Sequence, residues 1–148
     1  MSIDYELTLA GDVPLERVAE LIAPGAVELW SPAGNRLLST GPDDEYGYGV
    51  SITSGSDGYY EAEDGGTQWY WEPKRYVDIT FHMDKETLAE RGRPSMLRAV
   101  AKILNNRDED AALVLNSNWL LLTRLGGRLR KHNAADWYDE AYDEILPG

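Results

Sequence analysis

Two segments of the sequence alternate strictly between apolar and polar residues, and this pattern constrains the fold more than any other feature. The first runs from Ile3 to Leu9, and the second runs from Tyr76 to Met83. A period of two places all the apolar side chains on one face of a strand and the polar ones on the other. The pattern therefore predicts an antiparallel sheet with one buried face and one face in contact with water.

Two other segments carry apolar residues at helical spacing. The first covers residues 15–22 and follows Asp12 and Pro14. Asp12 is predicted to cap the first amides of this helix, and Pro14 suits its first turn because no intrahelical donor is needed there. The second covers residues 97–104 and keeps its apolar residues on one stripe, which is typical of a helix that covers a sheet.

Short apolar segments separated by turn residues predict further strands. Between the last two of these strands, over residues 119–125 and 128–131, Gly126 and Gly127 indicate a tight hairpin because both residues can adopt positive φ. The acidic tail, residues 134–146, has roughly helical spacing and predicts a third, short helix. The predicted strands are Ala26–Trp30, Asn35–Ser39, Tyr48–Thr53, Ala111–Leu115, Trp119–Leu125 and Arg128–Lys131.

These elements together predict the fold class and the domain organisation. A chain of 148 residues is long enough to bury one core, so residues 1–148 are expected to form a single domain. The expected class is α+β in two layers, with a mostly antiparallel sheet, two main helices and a short C-terminal helix.

Charge and composition exclude several classes of function. The formal net charge is −12, which disfavours nucleic-acid binding because phosphate contacts depend on Lys and Arg. The chain has no cysteine, so disulfides, Cys-ligated metals and thiol nucleophiles are excluded. It also has no apolar run of membrane-spanning length and no basic, apolar leader, which predicts a cytoplasmic protein without membrane contact.

The stretch from Leu37 to Pro73 contains no Lys or Arg and is rich in acidic and aromatic residues. Its bulky aromatic residues indicate ordered hairpins rather than a disordered acidic linker. Acidic side chains steer a basic partner and aromatic ones supply contact area, so this stretch predicts a docking surface for a protein. A solvated acidic face over an aromatic core explains the same composition equally well. The predicted partner-binding residues are Asp43, Asp44, Glu45, Asp57, Tyr59, Tyr60, Glu61, Glu63, Asp64, Trp69 and Trp71.

The sequence offers little for catalysis, cofactors or metals. His82 lies on the polar face of a predicted strand and His132 follows a predicted hairpin, and neither belongs to a catalytic motif. Gly47-Tyr48-Gly49 matches only half of a dinucleotide-binding loop, and residues 54–58 lack the acids of a calcium loop. We therefore expect no enzymatic activity, no cofactor and no metal.

A carbohydrate-binding or carbohydrate-active domain is the alternative. Trp69 and Trp71 could stack against sugar rings, and two of the nearby carboxylates could supply acid and base. These carboxylates are Glu61, Glu63 and Glu72. The same alternation also places both tryptophans on one face of a strand, where they could belong to the core.

Three segments resemble the Sit-type immunity proteins, a bacterial family from polymorphic-toxin systems of the swarming-inhibition type. They are YELTLAGD at 5–12, MLRAV at 96–100 and WLLLTRLGGRL at 119–129. The likeness runs through most of the chain and is weakest over 41–66. It implies a small cytoplasmic protein that binds a cognate toxin and neutralises it by stoichiometric occlusion, without catalysis. The acidic composition adds the expectation that this toxin is a basic protein.

Overall fold

The computed structural model describes residues 2–43, 47–84, 92–138, 142 and 145. Within these residues the chain forms ten strands, two helices of several turns and one single helical turn. None of these helices has the length and apolar character needed to cross a bilayer. The elements in chain order are β1 Ser2–Ala10, α1 Leu15–Ile22, β2 Val27–Trp30, β3 Arg36–Asp43, β4 Tyr48–Ser56, β5 Tyr60–Asp64, β6 Thr67–Trp71, β7 Arg75–Asp84, α2 Arg93–Asn106, β8 Asp110–Leu115, β9 Trp119–Leu125, β10 Arg128–Lys131 and α3 Ala134–Trp137.

All ten strands belong to one mixed sheet. Its order is β2-β3-β4-β7-β1-β8-β9-β5-β6, and β10 pairs with β9 beside this path. The pairs are antiparallel except for β5 and β9, which run parallel and meet through Glu63 and Trp119. The two alternating segments, now β1 and β7, lie side by side along their whole length. Their predicted alternation is confirmed, since Leu7, Ile79 and Phe81 are fully buried.

The main core lies between one face of the sheet and the two longer helices. Tyr5 and Leu9 of β1 contribute fully buried side chains from the sheet, and Leu97 and Ile103 contribute them from α2. Burying one such side chain stabilises a fold by about 1.5–3 kcal/mol before the entropy cost of ordering it. The apolar stripes of α1 and α2 therefore face the sheet, as the helical spacing predicts.

The predicted two-layer α+β class with three helices is wrong, because the sheet dominates the molecule. Strands lie about 4.8 Å apart, so the seven strands from β2 to β9 are roughly 30 Å wide, whereas two adjacent helices cover about 20 Å. The other face is covered in part by the sheet's own β5–β6 hairpin. The helix predicted over 134–146 is the single turn α3, since Tyr138 adopts an extended backbone with φ −74° and ψ 136°; most of the later residues lie outside the described part.

Two local predictions have opposite outcomes. The predicted capping role of Asp12 is wrong: no side chain caps α1, and the Asp12 carboxylate accepts a hydrogen bond from Arg75 Nη1 at 3.1 Å instead. The predicted hairpin turn is confirmed, because Gly126 and Gly127 have φ of 59° and 81° and join β9 to β10. A glycine turn depends only on its own backbone, whereas a cap depends on competing partners elsewhere in the fold.

Candidate functional site

The β5–β6 hairpin contains most of the acidic and aromatic residues predicted to bind a partner. Its strands pair from Tyr60 opposite Trp71 to Asp64 opposite Thr67, and the turn between them is formed by Gly65 and Gly66. These glycines have φ of 60° and 90°, a region that side chains with a Cβ rarely adopt. Alternation along the paired strands gives the hairpin an inner face on the sheet and an outer face in solvent.

The inner face packs on the side of the sheet that faces away from the helices. Ala62 is buried there against Val114 and Leu120. Trp69 and Trp71 are half-buried against the same cluster, and their ring centroids lie 5.9 Å apart. The two tryptophans therefore hold the hairpin on the sheet.

Hydrogen bonds to Asp78 fix one end of the hairpin. The hydroxyl of Tyr60 lies 2.9 Å from Asp78 Oδ1 and 3.0 Å from Oδ2, and it donates to this carboxylate. The hydroxyl of Thr8 on β1 donates to Oδ1 at 2.6 Å. Burial raises the pKa of Asp78, and the hydrogen bonds from Thr8 and Tyr60 oppose part of that shift. Tyr60 thus links the hairpin to Asp78 of β7, which is also bonded to Thr8 of β1.

A second group of polar contacts fixes the other end, near the turn. His132 is buried, and its Nδ1 lies 2.9 Å from Asp64 Oδ2. Asn133 donates from Nδ2 to the carbonyl of Glu63 at 2.9 Å, and its Oδ1 accepts from the amide of Gly65 at 2.9 Å. Asp64 and His132 therefore position the hairpin.

The outer face combines exposed aromatic rings with exposed carboxylates. Tyr59 and Tyr70 are 57% and 58% exposed, and their ring centroids lie 6.3 Å apart. Glu61, Glu63 and Glu72 are exposed as well. We call Tyr59, Glu61, Glu63, Tyr70 and Glu72 the acidic hairpin face.

The structure divides the predicted partner-binding residues among several places. Sequence reasoning did not single out Tyr70 and Glu72 as partner-binding, although alternation from Trp69 places them on the opposite face from the tryptophans. The predicted residues lie as follows: Tyr59, Glu61 and Glu63 on the acidic hairpin face; Tyr60, Trp69 and Trp71 on the inner face; Asp64 beside His132; Asp57 exposed in the turn before β5; Asp43 at the end of β3; Asp44 and Glu45 outside the described residues.

A strip of polar side chains crosses the sheet face that the helices leave uncovered. His82 Nε2 lies 3.3 Å from Ser51 Oγ, and His82 Nδ1 lies 2.9 Å from Asp4 Oδ1. This order matches a serine–histidine–aspartate triad. However, Ser51 lies within β4, which pairs with β3 on one side and with β7 on the other. The backbone amides around Ser51 are therefore used in hydrogen bonds between strands, whereas an oxyanion would need free amides to stabilise it. The strip therefore lacks the main electrostatic component of acyl-transfer catalysis.

Glu6 lies on the same face as this strip and is half-buried. Burial, and then the negative charges of Asp78 and Asp4, raise the pKa of Glu6 to about 7. Its carboxyl group is therefore partly protonated at neutral pH. Across the part of the chain that the structure describes, no three acidic or histidine side chains are arranged to hold a metal ion.

Comparison with known protein families shows which family the chain belongs to. A family model described as SitI3-like matches residues 3–141 of the chain. No curated protein and no solved structure matches the chain. The matched range begins in β1, ends beyond α3 and includes the whole β5–β6 hairpin.

Proposed function

We propose that this chain, which belongs to the SitI3-like family, is an immunity-type protein that binds a basic toxin and blocks it by occlusion. The acidic hairpin face is the proposed docking surface. The observation that carries this proposal is the concentration of exposed carboxylates and exposed tyrosines on one side of a single hairpin.

The charge of the acidic hairpin face favours a cationic partner. Glu61, Glu63 and Glu72 are exposed there, and the sequence from Leu37 to Pro73 contains no Lys or Arg to offset them. Such a one-signed patch raises the rate of encounter with a positive surface, and the effect weakens beyond about 8 Å at physiological ionic strength. A basic toxin is therefore attracted to this side of the molecule.

Tyr59 and Tyr70 supply the contact area that charge alone does not provide. Tyrosine is enriched among the residues that dominate binding energy at protein interfaces. It has few rotatable bonds, so ordering it on binding costs little entropy. The two rings lie side by side, with centroids 6.3 Å apart, and together form one aromatic patch.

The inner face holds the docking surface in place. Tyr60 bonds to Asp78 at one end of the hairpin, and Asp64 bonds to His132 near its turn. A surface that is ordered before binding loses less conformational entropy on association. Occlusion requires a complex that dissociates slowly, and a hairpin that is ordered before binding favours such a complex.

The packing of the two tryptophans favours protein binding over the carbohydrate alternative. A stacking platform needs an aromatic ring whose face is open to the sugar. Trp69 and Trp71 are instead half-buried against Ala62, Val114 and Leu120. The surfaces of these rings that pack on the cluster are therefore not open to a sugar.

Co-expression with a candidate toxin encoded next to the gene for this chain tests the proposal. We expect the wild-type chain to restore growth, and the Glu61→Gln/Glu63→Gln variant to restore it less well. The matched control is Glu20→Gln/Asp108→Asn, which removes the same charge from two exposed residues outside the hairpin. Failure of the wild-type chain to rescue growth would rule out the immunity role, and equal rescue by both variants would exclude the acidic hairpin face.

A further inference from the structure

A groove of about 350 Å³ lies between α1 and α2, on the helix-covered side of the molecule. Its apolar floor is formed by Leu21 and Ile22 at the end of α1, Ala99 of α2 and Tyr48 at the start of β4. This volume is at the lower end of the range for small-molecule sites, which are mostly apolar with a few polar groups. The groove faces away from the acidic hairpin face, so it concerns a function independent of the one proposed above.

Two cations stand at the rim of this groove. Arg98 and Lys102 lie four residues apart on α2, which places them on the same side of the helix, and both are exposed. Helix α2 contains no Asp or Glu along its length. Among the residues that the structure describes, neither side chain has a carboxylate partner. The rim therefore carries two positive charges in a chain whose net charge is −12.

One acidic residue, Glu20, also lines the groove. The carboxylate of Glu20 lies 3.5 Å from Arg17 Nη1 on the same helix, and both side chains are about two-thirds exposed. Among the described residues that line the groove, Arg98 and Lys102 outnumber this one carboxylate. The groove combines an apolar floor with a cationic rim.

We propose that this groove binds an amphipathic monoanion of the medium-chain carboxylate class. The alkyl chain lies on the floor formed by Leu21, Ile22 and Ala99, where it is removed from water. The carboxylate lies between Arg98 and Lys102, and the planar guanidinium can donate two parallel hydrogen bonds to it. The small volume suits one short chain rather than a dinucleotide or a second protein.

Calorimetric titration of the full chain with decanoate, below its micelle concentration, tests this proposal. We expect saturable binding with a stoichiometry of one. 1-Decanol has the same chain without the charge, and hexanoate has the same charge with four fewer methylenes. Each should bind at least about tenfold more weakly than decanoate. Absence of saturable decanoate binding, or equal binding of decanol, would overturn the proposal.

Charge variants locate the site. Arg98→Gln and Lys102→Gln should each weaken decanoate binding about fivefold, the upper range for an exposed ion pair. Arg128→Gln/Arg130→Gln is the matched control, because it removes two exposed cations from β10. Amide NMR shifts on decanoate addition should centre on Leu21 and Ala99, and thermal melts confirm that each variant folds. Unchanged affinity in Arg98→Gln/Lys102→Gln, or shifts centred elsewhere, would contradict the site.

Discussion

Helix α2 and the β5–β6 hairpin are both attached to the sheet through one face, but they are attached differently and carry opposite charge. Helix α2 buries Leu97 and Ile103 completely and exposes cations. The hairpin buries only Ala62 completely and exposes Glu61 and Glu63. The inner faces attach both elements to the sheet. The side chains on the outer faces can therefore differ in the sign of their charge without loss of this attachment. In each element, the side chains that attach it to the sheet and the charged side chains exposed to solvent lie on separate faces.

The two elements also depend on different kinds of interaction. The attachment of α2 is mainly apolar packing within the main core. The hairpin pairs with β9 only through Glu63 and Trp119. It is attached by a small apolar cluster that includes its two tryptophans and, in addition, by the hydrogen bonds of Tyr60 and Asp64. Apolar packing is insensitive to pH and to the loss of one polar atom, whereas hydrogen-bonded attachment is sensitive to both. The predictions that follow depend on this difference.

Truncating one large side chain in each element should give the largest effect. Leu97→Ala should lower the free energy of unfolding by about 3 kcal/mol, since it leaves a cavity in the main core. Trp71→Ala should lower it by about 2 kcal/mol, because that ring is only half-buried. Urea unfolding followed by far-ultraviolet circular dichroism measures both changes. A larger loss of free energy of unfolding for Trp71→Ala than for Leu97→Ala would contradict the expectation that α2 is attached more strongly than the hairpin.

Removing one hydroxyl from the hairpin should give the next effect. Tyr60→Phe retains the ring and deletes the donor to Asp78, so it should lower the free energy of unfolding by about 1.5 kcal/mol. Tyr70→Phe is the control, because that side chain is 58% exposed, and it should stay within about 0.5 kcal/mol of wild type. The same urea experiment compares them. Equal stability of the two variants would show that the Asp78 contact does not hold the hairpin.

The pH dependence of stability should show a smaller effect, from the sheet face that the hairpin partly covers. The pKa of Glu6 is about 7 in the folded chain and near 4.5 when unperturbed, so the folded state binds this proton more tightly. The contribution of Glu6 to the free energy of unfolding is therefore largest below pH 4.5. It decreases as the pH rises through about 7 and does not change further at higher pH.

Glu6→Gln isolates this contribution. The variant should be more stable than wild type by about 1 kcal/mol at pH 8 and nearly equal to it at pH 4, after allowance for solvent screening. Thermal unfolding across this pH range measures the difference. Glu61→Gln, which removes one carboxylate from an exposed position, is the matched control. A Glu6→Gln profile parallel to wild type would show that Glu6 titrates normally.

The elements that the sequence predicted well are those with a local, periodic signal. The alternation of β1 and β7 predicted both strands and their buried faces, and Gly126-Gly127 predicted the turn after β9. The fold class was wrong because the width of a sheet depends on how many strands add to one edge or another. No period in the sequence encodes that number. The single turn α3 illustrates the same limit, since spacing alone predicted a longer helix.

The candidate site was predicted in part, for a related reason. Composition drew attention to the stretch that contains Tyr59, Glu61 and Glu63, which share the acidic hairpin face. It did not separate these residues from Tyr60, whose partner Asp78 is 18 positions away, or from Asp64, whose partner His132 is 68 positions away. Contacts between distant residues decide which side of a hairpin faces solvent, and they leave no signal in local composition.

The most direct test of the acidic hairpin face is the association rate constant with the toxin, measured at low and high ionic strength. Glu61→Gln/Glu63→Gln should lower this rate constant about threefold to tenfold at low salt and weaken its salt dependence. The control Glu20→Gln/Asp108→Asn, with the same net charge, should keep the wild-type salt dependence. Identical rate constants and salt dependence for the two variants would show that the toxin does not approach through this face.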